Sequence, residues 1–183
     1  MLRFFQLFLV STLLCSFVSC DDEVTEPQIL NSPGLEANIG GDRFVADEPS
    51  AVLSEILGVS TLTLSGTSDF LGNDPELLQL SLYTVEETAI RAGTYTTTEG
   101  CLTADSSHCL LAVHLDNYTG ELESAWASSD DDENTPPGAL TVELIEVDLR
   151  PGGSVQGRFS GTLVNSEGQT RSLTDGKFWL EVQ

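Results

Sequence analysis

The sequence predicts an all-β fold: a single antiparallel β-sandwich or β-barrel-like domain over residues 35–183. Three observations carry this. Apolar and polar residues alternate with a period of two through one short segment after another. Glycine and proline punctuate those segments at close spacing. Beyond the first twenty residues no stretch sustains a helical period, and a helical turn competes only at 51–57 and 74–78.

Taken in order, residues 35–39 form the first candidate strand. Gly40-Gly41 supplies the positive φ of a tight hairpin, and residues 43–46 return. Residues 59–66 alternate, as do Leu78, Leu80 and Leu82 against Gln79, Ser81 and Tyr83. Residues 93–98 are rich in β-formers, and 110–115 are their expected hairpin partner. Leu140, Val142, Leu144 and Glu146 then share one face while Thr141, Glu143, Ile145 and Val147 share the other, so this strand is expected to be buried on both sides towards its end. Pro151-Gly152-Gly153 is a turn. Val155, Gly157, Phe159, Gly161 and Leu163 alternate with polar neighbours, and glycines inside a strand predict a bend or a close backbone approach. The last strand is expected at 177–182. No internal repeat is present.

The chain opens on Met1, Leu2 and Arg3, a short positive start. The apolar run at 4–18 is too short and too abruptly ended to favour a membrane-spanning helix. A positive start, a short apolar middle and a small-residue exit form the pattern of a secretory signal peptide, here residues 1–19. The exit, Phe17-Val18-Ser19-Cys20, resembles the lipobox of bacterial lipoproteins, with Phe17 where an aliphatic residue is usual. That resemblance implies lipid on Cys20, cleavage just before it, and attachment to a membrane. Several acyl chains anchor firmly, since each buried CH₂ contributes about 0.8 kcal/mol. An ordinary signal peptide with an incidental cysteine is the competing reading. Residues 20–34 then form the lipidated cysteine and an acidic, flexible tether containing Pro27 and Pro33.

The cluster Asp21-Asp22-Glu23 resembles the surface-export signal of Bacteroidota lipoproteins, which implies the outer membrane and surface exposure. An aspartate at that place in enterobacteria implies inner-membrane retention instead, and a solvated linker start is the plain alternative.

The precursor carries a formal net charge of −22, and Lys177 is its only lysine. Such a surface repels nucleic acid and anionic headgroups, which argues against both as partners. It could attract divalent cations or serve solubility in a salty habitat.

Of the four cysteines, Cys15 leaves with the signal and Cys20 takes the lipid. Cys101 and Cys109 flank a turn-like segment, and in an oxidising compartment they read as a disulfide. Closing so short a loop contributes on the order of 2–3 kcal/mol in the chain-entropy model. The rival is a metal site using both cysteines with His108 and Asp105.

Catalytic signatures are missing. There is no G-x-S-x-G, no H-E-x-x-H, no phosphate loop and no dinucleotide fingerprint. His108 and His114 are the only histidines; His108 falls in a predicted loop and His114 on the face of Leu110 and Ala112. With 29 acidic residues, some carboxylate pair meets glycosidase spacing by chance. Asp130-Asp131-Asp132-Glu133 is the one oxygen-rich run that could bind Ca²⁺, although its spacing is not that of an EF-hand. Trp126, Tyr118 and Trp179 could form a sugar platform if exposed.

Several segments together resemble a group of uncharacterised Bacteroidota lipoproteins with a domain of unknown function. They are Ala37-Asn38-Ile39-Gly40-Gly41-Asp42-Arg43-Phe44-Val45-Ala46, the central Gly93-Thr94-Tyr95, the strand from Val155 to Leu163, and Thr174-Asp175-Gly176-Lys177-Phe178. The resemblance implies export and an all-β fold, and no activity. The expected function is therefore a lipid-anchored, non-enzymatic interaction or accessory module of the cell envelope, partnered by an envelope protein. A glycan- or calcium-binding surface module is the alternative, and an envelope hydrolase the third.

Overall fold

The computed structural model describes residues 30–69, 71, 74–85, 89–97, 108–117, 125–128 and 138–183. The signal segment, Cys20, Cys101, Tyr118 and the run from Asp130 to Glu133 lie outside them.

The described residues form eleven strands and no helix: β1 (Gly34–Ile39), β2 (Asp42–Val45), β3 (Ser50–Ile56), β4 (Val59–Ser68), β5 (Glu76–Val85), β6 (Gly93–Thr96), β7 (His108–Leu115), β8 (Ala125–Ala127), β9 (Ala139–Val147), β10 (Ser154–Val164) and β11 (Thr170–Glu181). All join one antiparallel sheet in the order β2-β1-β11-β10-β8-β7-β5-β4-β3, with β6 and β9 branching from β10. The sheet curls back on itself. Ala51 of β3 bridges Val182 just beyond β11, and the Gln183 amide donates to the Ala51 carbonyl at 3.0 Å.

The sheet branches at β10. Along one edge of β10, Val155 to Thr162 pair with β9, whereas Val164 pairs with Ala127 of β8. Gly138 sits at this fork, where a Cβ would lie 2.4 Å from the Thr162 carbonyl oxygen.

Period-two alternation places one apolar set inside. Leu35, Ala37 and Ile39 of β1, Leu62 and Leu64 of β4, Leu78, Leu80 and Leu82 of β5, and Phe178 and Leu180 of β11 belong to a single core cluster. Gly40 and Gly41 have φ of 63° and 103°, the two positive values of a type I′ turn, as the double glycine predicts.

The strand glycines mark close approach. Gly157 faces Phe178 and Phe159 faces Gly176 across β10 and β11. A Cβ on Gly157 would sit 2.5 Å from the Phe178 ring, and one on Gly176 would sit 2.5 Å from the Phe159 ring. The two rings stack at 6.3 Å in the space the glycines leave.

Four local expectations are corrected. Segments 51–57 and 74–78 contribute to strands β3 and β5. The partner of β6 is β9, and β7 pairs instead with β5 and β8. The end of β9 is exposed on Ile145 and Glu146, because a bulge opposite Gln156 and Gly157 interrupts its alternation. The last strand begins at Thr170. Asp175, at φ 53°, stretches the inward spacing from Leu173 to Gly176 to three residues and hides the period.

Candidate functional site

Two polar features stand out: a charged cluster at one end of the sheet's interior, and a groove on its outer face.

Strand register assembles the inner cluster. Leu78 of β5 pairs with His114 of β7, so Glu76 lies two residues further on, opposite the extension of β7 to Asp116. His114 pairs in turn with Trp126 of β8. Arg171 enters from β11, its stem running beside Gly40, where a Cβ would meet the Arg171 Cγ at 3.0 Å.

The Arg171 guanidinium connects these groups. Its Nη1 donates to Asp116 Oδ1 and Oδ2 at 2.7 and 2.8 Å, and lies 3.3 Å from His114 Nδ1. Its Cζ lies 4.0 Å above the Trp126 ring, a cation–π contact. The Trp126 indole N–H donates to Asp116 Oδ2 at 3.3 Å. Phe44 meets the His114 ring edge-on at 6.4 Å.

His114 is 1 % exposed. His114 Nδ1 faces both the Arg171 guanidinium at 3.3 Å and Asp116 Oδ1 at 3.4 Å, so its donor or acceptor role follows the tautomer. Its Nε2 has no hydrogen-bond partner among the described residues; Glu76 Oε2 lies 3.9 Å away. Burial, helped by Arg171 and opposed by Asp116, lowers the His114 pKa to about 4. Burial and then Asp116 raise that of Glu76, against the Ser68 hydrogen bond.

Glu76, His114 and Asp116 each present a donor atom within 4.8 Å of the others, a spacing open to a divalent cation. Arg171 weighs against this use. It donates into both Asp116 oxygens, lies 3.3 Å from His114 Nδ1, and adds a fixed positive charge. Hydrolysis is also poorly served. Ser68 Oγ donates to Glu76 at 3.3 Å rather than to the histidine, so nucleophile and base are not paired.

The outer groove crosses β9, β10 and β11, with a volume of about 310 Å³, and is lined in part by Glu143, Ile145, Arg158, Ser160, Asp175 and Lys177. Arg158 donates from Nε to Glu143 at 2.6 Å and pairs across the ladder with Lys177. Two cations side by side on so acidic a chain are costly without an anionic neighbour. Glu36 of β1 lies opposite Lys177 on its other side.

The sequence-predicted residues are scattered. His108 is the first residue of β7 rather than a loop residue, and its ring meets Tyr95 edge-on at 5.5 Å. Cys109 is buried in β7, and its expected partner Cys101 lies outside the described residues. Trp126 points inward while Trp179 alternates to the outer face, so these two share no sugar platform. The inner cluster left a partial trace: His114 and Asp116 are two apart and therefore share a strand face. Arg171 left none, because its strand was expected to start after it. No family model, curated protein or solved structure matches this chain.

Proposed function

We propose that the protein is a lipid-anchored, non-enzymatic interaction module of the bacterial cell envelope, exported by residues 1–19 and held on the outer membrane by acylated Cys20, facing outwards. The observation that carries this reading is the Met1-to-Cys20 segment with its lipobox-like exit, followed by a folded domain whose first strand starts only at Gly34. The intervening residues are acidic and proline-containing, as a tether requires. The resemblance to uncharacterised Bacteroidota lipoproteins agrees with it. A disulfide between Cys101 and Cys109 suits the same oxidising compartment. The outer groove, where Arg158 and Lys177 lie beside Glu143 and Asp175, is the proposed place of contact for an envelope protein or an acidic glycan.

Metabolic labelling with a fatty acid tests the anchor: label should reach the native chain and vanish in Cys20→Ala. Label retained by that variant rejects the reading. Thermal unfolding of the full chain against divalent cations and polysaccharides tests the ligand classes. A saturable rise with one of them replaces the protein partner with that ligand.

A further inference from the structure

The turn between β3 and β4 breaks a rule that the β1–β2 turn obeys. Both are two-residue turns with positive φ, but here the first position is leucine: Leu57 at φ 53°, followed by Gly58 at 81°. A type I′ turn favours asparagine or glycine there, and a leucine held left-handed is strained. Leu57 is also 96 % exposed. Strain and exposure together on an apolar side chain gain nothing for the isolated domain.

The neighbours extend the apolar surface. Ile56 pairs with Val59, and Val59 with Val85, so the three form one row across β3, β4 and β5 just below Leu57. Ile56 is 68 % exposed and Val85 45 %.

Strand direction fixes which end of the domain this rim occupies. β3 runs parallel to the end of β11 from the Ala51–Val182 bridge, so its tip at Ile56 lies beyond the carboxy-terminal end of β11. β1 is antiparallel to β11, with Gly34 opposite Trp179, so the chain enters the domain at that same end. The charged inner cluster and Leu71, which is 94 % exposed between β4 and β5, belong to the opposite end.

The geometry points to the bilayer itself as the occupant of this rim: Ile56 and Leu57 dip into the apolar boundary of the membrane that holds Cys20. The inference rests on the anchor proposed above. A tether leaving beside the rim turns that end of the domain towards the membrane. Burial of two large aliphatic side chains adds a contact independent of the acyl chains. The net charge of −22 selects zwitterionic over anionic lipid.

The test uses the full lipidated chain in phosphatidylcholine vesicles, carrying an environment-sensitive fluorophore at Leu57→Cys or at Leu71→Cys, with the unsubstituted chain as the labelling blank. Mass measurement of the acyl group on Cys20 accompanies each preparation. The expected result is blue-shifted emission at position 57, quenched by a spin label on the lipid chains, and aqueous emission at position 71. Aqueous emission at both positions on an acylated protein overturns the rim's insertion and leaves the anchor standing. Blue-shifted emission at 57 that the lipid-borne quencher cannot reach means that protein covers the rim, and also overturns it. Absence of an acyl group on Cys20 removes the anchor, and the inference with it.

Discussion

Replacing Arg171 with methionine keeps an apolar stem over Trp126 and removes the guanidinium. Asp116 then loses the two contacts at 2.7 and 2.8 Å, while the indole N–H at 3.3 Å remains. Its carboxylate is left beside Glu76, whose proton affinity Asp116 already raises. A charge-assisted hydrogen bond contributes about 1.5–3 kcal/mol, and a guanidinium over a ring about 0.5–1 kcal/mol. The side chains of Arg171 and Asp116 are 25 % and 26 % exposed, so solvent screens part of this. The expected loss is about 2–3 kcal/mol, or roughly 5–10 °C in Tm for a domain of this size. Urea unfolding near neutral pH measures it. A second signature separates this from lost packing. Arg171 helps to hold the His114 pKa down, so without it His114 takes a proton more readily beside Asp116. The deficit of Arg171→Met should therefore narrow as pH falls from about 6.5 towards 4. A loss below about 0.5 kcal/mol, or a deficit that does not change with pH, refutes the assignment of Arg171 as the cluster's central charge.

Leu57→Asn should stabilise the domain by about 1 kcal/mol, since asparagine tolerates the left-handed position; thermal unfolding reads this as a rise of a few degrees. Gly176→Ala puts a Cβ 2.5 Å from the Phe159 ring, and should cost roughly 1–3 kcal/mol in chemical unfolding, with partial recovery when Phe159 is shortened to leucine. His114 has a folded pKa of about 4 against 6.5 unfolded, so the unfolded chain binds a proton that the folded one refuses. Stability should fall as pH drops through that window, by up to about 3 kcal/mol. The raised pKa of Glu76 acts with the opposite sign. A pH series on the native chain and His114→Gln checks this, with the flatter profile expected for the variant.

The sheet was legible in the sequence wherever a strand keeps strict alternation with one face inside. β1, β2, β4, β5 and β10 show this, and Gly40-Gly41 announces its turn by chemistry alone. Legibility fails at bulges. Asp175 and Ile145 each add a residue to a strand and shift its phase, which hides the start of β11 and the exposure at the end of β9. Pairing between distant strands is also unreadable from a period. β6 lies along the edge of β9 that β10 leaves open, a property of the assembled sheet. The inner cluster joins Glu76, His114, Asp116 and Arg171 from separate strands, so only the His114–Asp116 spacing was visible. Leu57 was hidden differently: leucine is no signal for a turn, and its strain shows only in the backbone.

The most direct test of the central claim is the intact mass of the protein extracted from the membranes of its expressing cell, with fragmentation of its amino terminus. Membrane attachment through Cys20 predicts a chain that begins at Cys20 and carries acyl mass on that residue. A chain that retains residues 1–19, or one that begins near Cys20 without added mass, contradicts it.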